Sequence, residues 1–164
     1  MRFTITHPLA CDAETFFTKV YFDEEYNAAL YLEALGCSSM EVLAQSGTPG
    51  TTGYRRKLES YQEVDAPGPV KKLIGETVVT VEDGTFDAST MTWSFTITNS
   101  RLGDKINLSG TVAVADGQQA MAMDVKVKIP VVGGAVEKFI EKQTRDSQAK
   151  SAAFTRTWIA ERLT

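Results

Sequence analysis

The C-terminal stretch KIPVVGGAVEKFIEKQTRDSQAKSAAFTRTWIAERLT, from Lys128 to Thr164, decides the fold. A strand-like alternation ends at Pro130, which lacks the N–H group that a strand ladder needs. Gly133 and Gly134 follow, and we expect them to permit a sharp reversal of the chain. The remaining residues, about thirty, are typical of a single helix roughly 45 Å long. A helix of that length can cross a whole sheet.

One face of this helix changes character along its length. Its two ends carry large apolar residues, namely Val136, Phe139, Ile140, Phe154 and Trp158. Between them the same face carries Gln143, Ser147 and Ser151. Burying Gln143 in a dry core without partners would cost about 1–3 kcal/mol. The polar middle therefore favours a cavity beneath the helix. A helix that faces solvent in its middle, or one whose small residues let it pack closely, would produce the same pattern.

Upstream of this stretch, the sequence predicts a sheet. Residues 39–129 alternate polar and apolar side chains between turn-forming segments, which is typical of antiparallel strands buried on one face. Six strands are predicted here, and RFTIT near the N-terminus gives a seventh. We expect GETVVTVED to be a strand, GTFDAST to be the connection after it, and EVDAPGPVKKLIG to be a loop with one helical turn.

Two short helices are predicted between the first and second strands. Asp12 and Asp23 are typical N-cap residues, and Gly36 is a typical C-cap. The element order is therefore β-α-α-β6-α. We infer an α+β fold in which a seven-stranded antiparallel sheet surrounds the long C-terminal helix.

Composition excludes several classes of function. The chain has 164 residues, of which 43% are hydrophobic and 23% charged, as expected for one globular domain over residues 1–164. The net charge of −4 and the lack of a clustered basic face disfavour nucleic-acid binding. The N-terminus lacks a signal-peptide pattern, and no segment approaches the roughly 18 apolar residues that cross a bilayer. We expect a cytoplasmic protein without stable membrane insertion.

The residues for hydrolytic or metal chemistry are sparse. His7 is the only histidine, and no Gly-x-Ser-x-Gly elbow is present. Cys11 and Cys37 lack metal-ligand spacing; we expect two reduced thiols, although a disulfide between them is left open. A nucleophile pair of His7 and Cys11 would need a geometry that the sequence does not specify. The glycine-rich segment 47–53 leads into a strand and lacks the Gly-Lys-Ser/Thr ending of a phosphate-binding loop, so a hairpin at a cavity mouth is favoured. No metal, cofactor or catalytic residue is predicted.

The order of elements resembles the START-like, or helix-grip, superfamily, also called SRPBCC. The segments VKVKIPVVGGAVEKFIEKQ and FTRTWIAERL carry the resemblance most specifically. They are similar to a bacterial subfamily of START-like proteins whose function is not established. The resemblance implies an internal cavity between sheet and helix. Members bind lipids, sterols, plant hormones or polyketides, and a minority catalyse cyclisation or hydration.

The helix face and the bulky strand faces together give a set of candidate cavity-lining residues. These are Met91, Trp93, Phe95, Leu108, Val112, Met121, Met123, Val125, Phe139, Ile140, Gln143, Ser147, Ser151 and Phe154. Methionine side chains adapt to irregular contents. For each apolar candidate, ordinary core packing is the competing interpretation.

We therefore expect the protein to bind a hydrophobic or amphipathic small molecule, such as a lipid, in an internal cavity. A first alternative is a polyketide cyclase/dehydratase-like enzyme, which needs an ionisable group inside the cavity. A second is a protein-interaction module with a filled core and an exposed apolar patch. The pattern favours binding over catalysis. The sequence does not specify the ligand or the oligomeric state.

Overall fold

Seven antiparallel strands form one sheet in the computed structural model of the chain, which describes residues 1–163. The strands are β1 (Arg2–Pro8), β2 (Ser39–Ser46), β3 (Arg55–Glu63), β4 (Thr77–Asp87), β5 (Thr92–Asn99), β6 (Ile106–Ala115) and β7 (Gln118–Val127). Their order across the sheet is β1-β7-β6-β5-β4-β3-β2, so β1 pairs with β7 and the others follow the chain. The predicted α+β class and seven-stranded antiparallel sheet are confirmed.

Helical segments cover the inner face of the sheet. They are α1 (Ala13–Thr15, continued as a π-helix over Phe16–Tyr21), α2 (Glu24–Ala29, continued as a π-helix over Leu30–Ala34), α3 (Gly68–Ile74) and α4 (Gly133–Arg162). Asp12 Oδ1 accepts a hydrogen bond from Thr15 N at 2.8 Å, and Asp23 Oδ2 accepts one from Tyr26 N at 2.8 Å. Both predicted N-caps are therefore present. No helix among the described residues is long and apolar enough to cross a bilayer.

Two segments differ from the sequence-based prediction. The segment predicted as a loop with one turn contains the seven-residue helix α3, whose Val70 and Ile74 are buried. GTFDAST was predicted as a connection, but β4 continues to Asp87. Phe86 is 1% exposed, and a Cβ atom at Gly84 would collide with the Trp93 ring. Burial against β5 therefore outweighs the turn tendency of the Asp-Gly pair.

The chain reverses between β7 and α4 at Val131, not at the two glycines. Val131 has φ of 71°, a left-handed conformation that is uncommon for a β-branched residue, and its side chain is fully exposed. Gly133 and Gly134 lie in the first turn of α4 without positive φ. A Cβ atom at Gly133 would lie 3.3 Å from the carbonyl oxygen of Val127, so this glycine permits close packing of α4 on β7.

The apolar core divides into two clusters along the inner face. The larger cluster lies beneath α1 and α2 and includes Phe16, Phe17, Val20, Phe22, Phe86, Trp93, Val112 and Val125. The smaller cluster joins α3 to the start of α4 and consists of Ala66, Val70, Ile74, Leu102, Ile106 and Val136. Leu108, Val127 and Ile140 are partly buried and pack against both clusters.

Candidate functional site

A partly open cavity of about 270 Å³ lies between α4 and the inner face of the sheet. Strands β3 to β7 supply one wall, and Tyr31 and Leu35 add the π-helical end of α2. Most of the lining side chains are apolar, among them Val64, Ile74, Val78, Ile97, Ile106 and Leu108. The volume lies just below the roughly 300 Å³ at which ligand pockets usually begin. A fully enclosed ligand must therefore be small, and a longer one would protrude.

The polar middle of α4 forms the opposite wall. Gln143, Thr144, Ser147 and Gln148 line the cavity. All four are half-buried. The hydroxyl group of Thr144 donates to the Ile140 carbonyl at 2.7 Å, as is common for threonine within a helix. The change of side-chain character that the sequence displayed along this helix face therefore coincides with the cavity.

Eight of the fourteen candidate residues lie on the cavity wall. They are Phe95, Leu108, Met121, Met123, Phe139, Ile140, Gln143 and Ser147. Four come from strands β5, β6 and β7, and four come from α4. Contact of these residues with a ligand remains a prediction.

The other six candidates lie outside the cavity. Trp93, Val112 and Val125 are fully buried and belong to the larger core cluster, because the aromatic residues of α1 fill that end of the sheet. Met91 lies in the turn between β4 and β5 with φ of 47°. Ser151 lies one turn beyond Ser147, where its carbonyl accepts a hydrogen bond from the Thr155 hydroxyl at 2.6 Å.

Phe154, the last of these six, packs against α2. Its ring centroid lies 5.8 Å from the Tyr26 ring and 5.8 Å from the Trp158 ring. The Tyr26 hydroxyl is 2.7 Å from the Thr155 hydroxyl. These contacts fix the C-terminal half of α4 on the front helices, which leaves the polar middle of α4 over the cavity.

Glu82 places a carboxylate on the cavity wall. Its Oε1 accepts a hydrogen bond from Trp93 Nε1 at 3.1 Å and lies 3.6 Å from Arg56 Nη2. The side chains of Arg56 and Glu82 are 4% and 15% exposed. Oε2 of Glu82 has no hydrogen-bond partner among residues 1–163. It can therefore accept a hydrogen bond from a molecule in the cavity.

Aromatic rings surround the arginine of this pair. The guanidinium carbon of Arg56 lies 5.8, 5.6 and 5.5 Å from the ring centroids of Tyr21, Phe22 and Trp93. Such cation–π contacts partly replace the lost hydration of a buried cation. Burial is the largest single influence and lowers the pKa of Arg56, but the facing carboxylate of Glu82 and the nearby phenols of Tyr21, Tyr31 and Tyr54 together outweigh it. The net shift of the pKa is therefore upward, and the guanidinium stays charged.

Two phenols lie near this charged pair. Burial raises the pKa of Tyr31 far above its usual range, and the negative charge of Glu82 adds to the shift. The pKa of Tyr21 is raised for the same two reasons. Both side chains are therefore neutral hydrogen-bond donors at physiological pH. Tyr31 lines the cavity, and its hydroxyl has no hydrogen-bond partner in the described part of the chain. The cavity thus has an apolar body and a polar end.

Sequence reasoning missed both polar residues at this end. In β4 the apolar residues Val79 and Val81 suggest that the odd-numbered positions face inward. The cavity is lined instead by even-numbered positions of this strand, including Glu82. Phe86 lies four residues after Glu82, on the same face of the strand, and is buried. This large apolar residue would have indicated the inward face. Tyr31 lies in a π-helical segment, which shifts the helical phase and has no clear sequence signature.

The other sequence features lie away from the cavity. The glycine-rich loop joins β2 to β3, as predicted, but Gly50 packs against Thr18 of α1 and the loop does not line the cavity. Cys11 and Cys37 are free thiols. No group of three or more His, Cys, Asp or Glu side chains among residues 1–163 could hold a metal ion.

Comparison with known proteins assigns the chain to a family. A family model described as "Protein of unknown function (DUF2505)" matches residues 4–159. The chain belongs to the DUF2505 family. No curated protein matches this DUF2505 chain significantly.

Solved structures similar to this DUF2505 protein share its fold. A protein from Thermus thermophilus has 17% identity and a TM-score of 0.65, with 98% of each chain covered. The ZhuI aromatase/cyclase from Streptomyces has 12% identity and a TM-score of 0.66 over 100% of this chain and 96% of the other. A START superfamily protein from Mycobacterium smegmatis has 18% identity and a TM-score of 0.56, with 99% of each chain covered. The predicted START-like, helix-grip fold is therefore confirmed.

Proposed function

We propose that this protein binds a hydrophobic or amphipathic small molecule, lipid-like in character, in the cavity between the sheet and α4. The observation that carries the proposal is the partly open cavity, whose apolar walls are bordered by the polar middle of an otherwise apolar helix face. The START-like fold supports it, since a cavity in this position is what the fold resemblance implied.

Apolar contact would supply most of the affinity. Each ligand CH₂ group that leaves water for these walls contributes about 0.8 kcal/mol. Met121 and Met123 on β7 can adjust to ligands of different shape because their side chains are unbranched and flexible. The volume of about 270 Å³ favours a short apolar chain or a single small ring system over a large lipid held entirely inside.

The polar end would orient the ligand. Glu82 Oε2 offers an acceptor and the Tyr31 hydroxyl offers a donor, and neither has a partner among residues 1–163. A ligand hydroxyl group can donate to the first or accept from the second. Gln143 and Ser147 on α4 would contact the ligand along its length.

The proposal predicts that ligand stays with the protein during purification. Native mass spectrometry, followed by organic extraction and mass analysis, should detect a bound amphipathic molecule that is released on unfolding. Refolded, delipidated protein should take up 1-octanol with a saturable signal. Recovery of no ligand, together with no uptake of 1-octanol, argues against the proposal.

A second candidate function is catalysis of the cyclase or dehydratase type on a polyketide-like substrate. The specific observation in its favour is that Glu82 and Tyr31 are titratable groups on the wall of a largely apolar cavity, and that the pKa of Tyr31 is raised by burial. ZhuI, which shares the fold, is named as an aromatase/cyclase. Turnover of a poly-β-ketone model substrate that is lost in Tyr31→Phe, while substrate binding persists, would favour catalysis. The cavity weighs against a filled-core interaction module, the remaining alternative.

A further inference from the structure

A second pocket lies beside the charged pair, between α2 and the strands β2 and β3. Its volume is about 260 Å³, and Phe22, Met40 and Val42 form apolar parts of its wall. Arg56 lines this pocket, whereas its ion-pair partner Glu82 lines the main cavity. The two spaces are therefore lined by opposite members of one charged pair.

Arg56 has hydrogen-bonding capacity that the protein does not use. Its side chain is 4% exposed, yet its guanidinium donates no hydrogen bond to any of the described residues. The nearest acceptor, Glu82 Oε1, lies 3.6 Å from Nη2, beyond hydrogen-bond range, and Nε is buried without a partner. Buried charged donors normally have acceptors, because an unsatisfied one is costly. A molecule in the pocket can supply an acceptor to the terminal nitrogens of the guanidinium, which are not among its fully buried atoms.

The other polar groups of the pocket also have unused capacity. The Gln45 side-chain carbonyl accepts a hydrogen bond from the Tyr54 hydroxyl at 3.1 Å, which leaves the Gln45 amide N–H groups free. The Asn27 amide donates to the carbonyls of Tyr21 and Asp23 at 2.9 and 2.8 Å, which leaves its own oxygen free. Both Gln45 and Asn27 line the pocket.

Glu24 gives the pocket a negative rim. Its side chain is exposed, lines the pocket and forms no ion pair with the rest of the described chain. Arg56, by contrast, is buried at the floor. A ligand with only a negative charge would meet repulsion at Glu24, and one with only a positive charge would meet repulsion at Arg56. A ligand with both charges is complementary to floor and rim together.

We propose that this pocket binds a small zwitterion of the α-amino acid type. Its carboxylate would receive hydrogen bonds from Arg56 and Gln45, since the planar guanidinium suits carboxylate geometry. Its ammonium group would lie between Glu24 and the Asn27 oxygen, and an aliphatic side chain would contact Met40 and Val42. This site is separate from the main cavity and goes beyond the proposed function.

Three matched probes test the proposal: L-leucine, 4-methylpentanoate, which lacks the amine, and 3-methylbutylamine, which lacks the carboxylate. The readout is the Nε–H signal of Arg56 in ¹H–¹⁵N spectra of arginine-labelled protein. Leucine should shift this signal saturably, with a dissociation constant at least about 10-fold below those of the other two probes. Ser147→Phe, which fills the main cavity, should leave leucine binding unchanged.

Variants on the pocket rim separate the roles of its polar groups. Glu24→Gln should abolish the higher affinity for leucine than for 4-methylpentanoate. Gln45→Ala should weaken the binding of both of these carboxylate probes several-fold. Glu25→Gln is the matched control, because Glu25 pairs with Arg162 at 3.3 Å and does not line the pocket. All three positions are exposed, so folding should be retained. No saturable shift up to about 10 mM leucine, or equal affinity for leucine and 4-methylpentanoate, overturns the proposal.

Discussion

Replacing Glu82 by glutamine removes the charge that faces buried Arg56 and should destabilise the fold by about 3 kcal/mol. At 3.6 Å and an effective dielectric constant of about 20, their attraction is roughly 4–5 kcal/mol. Breaking one partner of a buried pair typically costs about 3–5 kcal/mol. The lower figure applies here because three rings surround Arg56, Glu82 is 15% exposed, and glutamine can still accept the Trp93 N–H hydrogen bond.

Urea unfolding at pH 7, followed by circular dichroism, measures this loss. Asp83→Asn on the same strand is the matched control, since the side chains of Arg55 and Asp83 are 60% and 32% exposed. An exposed pair contributes at most about 1 kcal/mol. The double variant Arg56→Met with Glu82→Gln should recover to within about 1 kcal/mol of wild type, because no unpaired charge is left buried and the Trp93 N–H keeps its acceptor.

A loss in Glu82→Gln no greater than that in Asp83→Asn would refute this reasoning. Arg56 would then be hydrated or otherwise paired in solution. A double variant as unstable as Glu82→Gln would refute it equally, because the unpaired charge would then not be the cause.

Three further changes have defined outcomes. Burial raises the pKa of Tyr26 to about 12, so the neutral phenol contributes fully to the free energy of unfolding below about pH 10. This contribution is lost as the pH rises through 12. By pH 11 the free energy of unfolding of wild type relative to Tyr26→Phe should fall by about 1.4 kcal/mol in urea titrations. Gly84→Ala should lower the free energy of unfolding by about 2 kcal/mol or more in the same assay, because the alanine methyl group would overlap the Trp93 ring. An unchanged urea midpoint would contradict this and would show that the ring can move. Val131→Gly should raise the melting temperature by a few degrees, because relief of about 1–2 kcal/mol of left-handed strain exceeds the added chain entropy; a lower melting temperature would contradict this.

Much of the fold could be predicted because several local signals agreed. The alternation of polar and apolar side chains predicted which faces of β5, β6 and β7 are buried. The N-caps at Asp12 and Asp23 predicted where the two helices after β1 begin. Propensity was misleading where tertiary burial overrode it. The Asp83-Gly84 pair looks like a turn, but Gly84 is needed as the one residue small enough to lie beneath Trp93. At the turn before α4 the glycine at position 133 serves close packing on β7, and the left-handed residue is the exposed Val131 instead.

One wall of the candidate site could be predicted from the sequence, and its polar end could not. The wall from α4 was visible in the sequence because Gln143 and Ser147 interrupt an apolar helix face. The polar end was not visible, because Glu82 lies where β4 reverses the usual alternation and Tyr31 lies in a π-helical segment. Trp93 and Val112 have the same strand pattern as true lining residues, and only the packing of α1 against them distinguishes solid core from cavity.

The affinity of three proteins for 1-octanol tests the central claim most directly. Ser147 lines the cavity, whereas Ala149 is exposed two residues further along the same helix. By isothermal titration calorimetry, wild type and Ala149→Phe should bind 1-octanol with equal affinity, and Ser147→Phe should bind it at least about 10-fold more weakly. Equal binding by all three proteins, or binding by none, would contradict a ligand site between the sheet and α4.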